Sequence, residues 1–148
     1  MAFLSSLDIS ASGMTAQRLR LDVAAQNIAN IETTRTEEGE TYRRKVVRFQ
    51  AQEESFSSVL RRTRNAGRSG ERNGGVIVTE IAEDQTDLKM VYNPEHPDAD
   101  ENGYVAMPNV DLIKETTDSM AATHSYNANI TAFNAIKLMA QKALEIGQ

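Results

Sequence analysis

The chain has 148 residues, enough for one domain with a modest core and too few for two of full size. It contains no cysteine, which excludes thiolate catalysis, cysteine-ligated zinc and a disulfide framework. A net charge of −5 argues against a general polyanion binder, and the absence of tryptophan leaves burial to Leu, Ile, Met and Ala.

The first element in chain order is a helix over residues 3–30. Leu7, Met14, Leu21 and Ile28 recur every seven residues, with Leu4, Ala11, Arg18 and Ala25 at the complementary position, so the spacing predicts a coiled-coil seam. Arg18 interrupts that seam and has Asp22 four residues on, as a partner along the helix. Gly13 weakens the helix by about 1 kcal/mol relative to Ala, and lets another helix approach closely. About 25 residues make a rod of about 38 Å, longer than so small a domain buries by itself. The N-terminus has no basic region and reaches a charge at Asp8, so no cleaved secretory signal is expected. No run nears the ~18 apolar residues that cross a bilayer, so no direct membrane insertion is expected.

Beyond residue 31 the helical periodicity is lost. Strands are predicted at 41–50, 76–81, 88–92 and 104–106 from their Val, Ile, Tyr and Phe content. Between the first two, residues 57–75 carry Arg61, Arg62, Arg64, Arg68 and Arg72 among Asn, Ser and Gly, and read as a mobile loop. Such a run can be a nucleic-acid arm, but it lacks interleaved aromatics in a chain that is acidic overall. Nucleic acid is therefore not expected as a partner. The favoured reading is a loop that orders on a neighbouring subunit, with Asp98, Asp100 and Glu101 as candidate ion-pair partners. Residues 93–98 contain two prolines and form a second linker, in which His96, Asp98 and Asp100 read as turn residues rather than metal ligands. The adjacent acidic pairs Glu37-Glu38 and Glu53-Glu54 have no cleft-forming framework around them. No enzymatic activity, metal or cofactor is expected.

The second long helix is predicted over 109–147, with Asn109 as its N-cap and Asp111 and Glu115 in the first turn. Toward its end Asn134, Lys137, Gln141 and Glu145 form only a narrow polar strip. Ile130, Phe133, Ala140 and Leu144 flank it on one side, and Ala132, Ile136, Met139, Ala143 and Ile146 on the other. A helix so apolar around its circumference must be covered on several sides, and one partner helix covers only one of them. Leu7, Met14, Leu21, Ile28, Ile130, Phe133, Ile136, Met139 and Leu144 are therefore expected to form an assembly interface. The expected fold is mainly α with a small β insertion. Residues 1–31 and 108–148 pair as a coiled-coil-like inner domain, and residues 32–107 form a β-rich lobe with its loop at 57–75.

These segments resemble a known family. Residues 8–22 (DISASGMTAQRLRLD) and 26–30 (QNIAN) are similar to the N-terminal signature of the bacterial flagellar axial proteins. Thr33 to Thr36 and Tyr42 to Lys45 resemble its proximal-rod members in particular. Glu83-Asp84, Val91-Tyr92, residues 96–100 (HPDAD), 103–106 (GYVA), 108–110 (PNV) and 142–147 (KALEIG) agree with that resemblance. The motif residues singled out are Asn27, Asn30, Thr33, Tyr42, Pro108 and Asn109. His124 and Asn127 depart from the family pattern, which more often has a long basic and an acidic residue there. The resemblance implies a structural subunit of the proximal rod, the shaft that carries motor torque to hook and filament around the export channel. It also implies a basal-body location, export without a cleaved signal through the flagellar type III apparatus, and other copies and other rod proteins as partners. The rival from another class is a soluble coiled-coil adaptor, which would stay a small closed oligomer at any concentration.

Overall fold

The computed structural model describes residues 2–52, 60 and 74–146. Glu53-Glu54 and the five arginines from Arg61 to Arg72 lie outside the described residues. In chain order the elements are α1 (Ala2–Ala29), β1 (Lys45–Ala51), β2 (Val76–Glu83), β3 (Lys89–Tyr92), β4 (Tyr104–Met107) and α2 (Leu112–Ile146). The fold is mainly α with a small β region, as the periodicity predicts. β1 pairs with β2 and β3 with β4, as two separate two-stranded sheets. In the antiparallel β3–β4 pair Lys89 stands opposite Met107 and Tyr92 opposite Tyr104.

Local chemistry sets the element ends. α1 stops where expected: the Asn30 N–H still makes the helical bond to the Gln26 carbonyl at 3.1 Å, to which the Asn30 side-chain amide also donates at 2.8 Å, but the Ile31 N–H turns to the Ile28 carbonyl, three residues back, at 3.3 Å. β1 begins at Lys45 rather than residue 41. The Tyr42 N–H goes to the Thr33 carbonyl (3.3 Å) and the Arg44 N–H to Asn109 Oδ1 (2.8 Å), so neither donor is available to a strand ladder. α2 begins at Leu112 rather than beside Asn109. Its cap is Asp111, whose Oδ1 accepts the Ile113 N–H at 2.9 Å, while Asn109 is engaged elsewhere.

The chain forms two compact units, and both helices contribute to each. The first comprises Met1–Arg18, Phe49–Thr79 and Thr123–Gln148. In it a side chain at Gly13 would sit 3.0 Å from Asn129 Nδ2, so the two helices approach here through a glycine. Ser12 Oγ accepts the Val76 N–H at 3.1 Å and ties the start of β2 to α1. Ser10 and Ala16 are the buried side chains of α1 in this unit.

The second unit comprises Leu19–Arg48 and Glu80–Ala122. Val23, Ala24, Tyr42, Val105, Pro108, Val110 and Ala122 make its small core. Asn27 of α1 meets Glu115 of α2, and Arg20 meets Asp118, so the helices run antiparallel within it. The cation facing α2 is thus Arg20. Arg18 is exposed, which corrects its placing in the seam. Leu7, Met14, Leu21 and Ile28 are half-buried, whereas the buried positions of α1 are Ser10, Ala16, Val23, Ala24 and Asn27. Close helix approach favours small or hydrogen-bonding side chains over the largest apolar ones.

Candidate functional site: a polar cluster and uncovered apolar faces

The cluster in the second unit is built around Asn27 and Arg44. Asn27 lies near the C-terminal end of α1 and is 1% exposed. Its Oδ1 accepts the Tyr42 hydroxyl and the Lys45 N–H, both at 2.9 Å. Its Nδ2 donates to the Lys45 carbonyl (2.9 Å) and to Glu115 Oε2 (3.0 Å). Both lone pairs and both protons of the amide are thereby used. Lys45 Nζ also lies 5.7 Å from the centre of the Tyr42 ring.

Arg44 stands two residues beyond Tyr42 in an extended segment, so both side chains point inward. Its Nε donates to Glu115 Oε1 at 2.5 Å, its Nη2 to Asp118 Oδ2 at 3.1 Å, and its Nη1 lies 3.6 Å from Asp84 Oδ2. Arg20 Nη2 holds the other Asp118 oxygen at 3.1 Å. Asn109 closes the cluster. Its Oδ1 accepts the Arg44 N–H, and its Nδ2 donates to the Asp84 carbonyl (3.0 Å) and to Thr86 Oγ1 (2.8 Å).

Protonation follows from these contacts. Burial lowers the Arg44 pKa, but the hydrogen bond and charge of Glu115, with Asp118 and Asp84 behind them, more than offset it and hold the guanidinium above its ordinary value. Burial, then the charges of Glu115 and Glu83, push the Tyr42 phenol up, so it stays a donor. The Thr86 N–H is the main reason that Asp84 is held below the usual carboxylate range, against the opposing effect of burial and with help from the Thr86 hydroxyl, Arg44 and Lys114. The cluster is a charge-balanced tie between α1, α2 and the segments around residues 44, 84 and 109. It presents no nucleophile with an adjacent base.

Of the motif residues, Asn27, Tyr42 and Asn109 come together in this cluster. Asn30 and Thr33 sit beside it, joined by Thr33 Oγ1 donating to Asn30 Oδ1 at 3.2 Å, and Pro108 is buried. Sequence reasoning missed the pairing of Arg44 with Glu115 and Asp118. The signal was present on α2 as Glu115, Asp118 and Ala122, spaced three and four residues apart on one helical face. His96 Nδ1 accepts the Asp98 N–H at 3.1 Å, and Asp98 accepts the Thr34 hydroxyl at 2.8 Å. Asp100 Oδ1 accepts the N–H groups of Asn102 and Tyr104 at 2.9 and 2.8 Å. These three residues therefore shape a turn, as read from the prolines.

The second feature is apolar. Among the residues whose side chains are described (4–52, 60 and 74–145), no Leu, Ile, Met or Phe is buried. Ile130, Phe133 and Ile136 are half-buried, whereas Met139 is 62% and Leu144 75% exposed. Leu4, Ile9 and Leu138 are also exposed in the first unit, and Ile113 and Met120 in the second.

Residues 7–35 match the family described as flagella basal body rod protein, and residues 101–146 match the flagellar basal body rod FlgEFG protein C-terminal family. The chain is 49% identical to the flagellar basal-body rod protein FlgC of Bacillus subtilis and 41% to that of Salmonella typhimurium, with 100% of both chains covered in each case. With FlgC of Aquifex aeolicus the identity is 39%, over 98% of this chain and 97% of that one. The chain belongs to the FlgC family of flagellar basal-body rod proteins. Like other FlgC-family chains it is a structural subunit of the basal-body rod. The two matched stretches hold part of the cluster: Arg20 and Asn27 fall in the first and Asn109, Glu115 and Asp118 in the second, while Tyr42, Arg44 and Asp84 lie between them.

Proposed function

We propose that this FlgC-family chain enters the proximal rod through the apolar sides of its terminal segments, 1–31 and 108–148, which form the inner, tube-lining domain. Residues 32–107 are the outer lobe. Leu7, Met14, Leu21, Ile28, Ile130, Phe133, Ile136, Met139 and Leu144 supply the contacts to other copies and to other rod proteins. The observation that carries this reading is the absence of any buried Leu, Ile, Met or Phe among the side chains described, those of residues 4–52, 60 and 74–145. A chain that leaves its largest apolar side chains half-buried or exposed reserves their full burial for neighbours. Each one buried at such an interface is worth on the order of 2–5 kcal/mol by truncation, and close packing supplies the stiffness that torque transmission requires.

The subunit acts mechanically, not as an enzyme, and recruits neither nucleic acid nor a cofactor. It reaches the rod through the flagellar type III export apparatus without a cleaved signal and does not insert into the membrane. No described helix is long and apolar enough to cross one. The test substitutes exposed positions, where folding is not at stake. Met139→Asp and Leu144→Asp should leave the circular dichroism spectrum and melting of the free chain unchanged while abolishing motility and recovery of the subunit in isolated basal bodies. Normal incorporation of both variants would refute the reading, and a closed oligomer of fixed size at every concentration would favour a soluble adaptor.

A further inference from the structure

A second uncovered surface lies away from the helical faces, on the β3–β4 pair of the second unit. Alternation along the strands sets Met90 and Tyr92 on one side, with Tyr104 directly across from Tyr92. The two rings meet edge to face, with centroids 5.4 Å apart and planes at 67°. Tyr92 is fixed on its other side by the turn. A side chain at Gly103, whose φ is +80°, would sit 2.9 Å from Tyr92 Cε2 and 3.2 Å from Pro94 Cβ. Tyr92 is nevertheless 65% exposed, Met90 58% and Tyr104 43%. The connection between the strands carries Glu95, Asp98, Asp100 and Glu101 and has no lysine or arginine of its own, although Asp98 faces Arg35 at 3.9 Å. A held pair of aromatic rings beside a connection rich in carboxylates suits a guanidinium, which stacks on one and pairs with the other.

This chain carries such a ligand. Residues 61–72 hold five arginines and one acidic residue, Glu71. We propose that the β3–β4 face binds the arginine-rich segment of a second copy, Arg61 to Arg72, with guanidinium groups stacked on Tyr92 and Tyr104 and paired with Glu95, Asp100 and Glu101. Charge complementarity selects the occupant. A patch and its complement at different places on one chain make a head-to-tail contact, which extends an open stack instead of closing a dimer. The contact uses no residue of the apolar helical faces, so it stands or falls independently of them.

The test places a photo-crosslinking benzoylphenylalanine at the exposed Asn102 of the full chain. Equal amounts of unlabelled and 15N-labelled protein are irradiated at the highest soluble concentration, and the joined peptides are identified by mass. The expected product links position 102 to a peptide from 57–75, in mixed-isotope pairs. Its yield should fall about fivefold in the Tyr92→Leu/Tyr104→Leu variant, and by a similar factor when the five arginines become lysines, which keep charge but lose planar stacking. Circular dichroism confirms that these variants remain folded. Cross-links to any other segment, cross-links confined to single-isotope molecules, no cross-link, or full yield from the lysine variant would each overturn the proposal.

Discussion

Arg44 is the residue on which the second unit turns, because three carboxylates, two from α2 and one from the segment around residue 84, converge on one guanidinium. Glu115, its closest partner, is only 2% exposed, so the pair is removed from water and depends on its mutual contact. Removing Glu115 strips the buried Arg44 Nε of its partner and leaves the guanidinium only its contacts to Asp118 and Asp84. Glu115→Leu should therefore cost about 3–5 kcal/mol in urea unfolding of the full chain, whereas Arg44→Met combined with Glu115→Leu should recover much of that loss. A double variant no more stable than the single one would mean that Glu115 acts by packing alone. The sequence displays the members of this cluster but not their meeting. Arg44 and Glu115 are 71 residues apart, and Arg20 and Asp118 are 98 apart, so no local pattern brings them together. What was legible was that Asn27, Tyr42 and Asn109 matter, as motif residues of the resemblance, without the contacts that join them.

At the scale of elements, the helices and strands were largely readable, since long periodic segments and β-branched runs carry their own signal. The ends of β1 and α2 were not. They are decided by where the N–H groups of Tyr42 and Arg44 and the side chain of Asn109 find partners, all of them tertiary contacts. The face of α1 that meets α2 was not legible for a related reason. A heptad reading ranks positions by apolar size, and so selects Leu7, Met14, Leu21 and Ile28. The helices instead approach at Gly13 in the first unit and at Asn27 in the second, where lack of bulk or hydrogen bonding decides. Gly13→Leu should accordingly overpack Asn129 and destabilise the first unit by about 1–3 kcal/mol, read as faster amide exchange around residues 9–16 and 125–133. Unchanged exchange there would show that the helices have room at Gly13.

For the whole molecule, no Leu, Ile, Met or Phe among the described side chains is buried, and polar and smaller residues hold the two units together internally. The polar cluster fixes the second unit without using them, which leaves both helices with apolar sides for neighbouring subunits. That division of labour suits a subunit of a FlgC-family rod. The absence of cysteine makes a direct measurement possible, because one introduced thiol is unique in the chain. In a Met139→Cys variant, alkylation should be fast in the free chain and suppressed by at least about tenfold in isolated basal bodies, where a neighbour covers the site. Equal alkylation rates in the free chain and in the assembled rod would contradict the account.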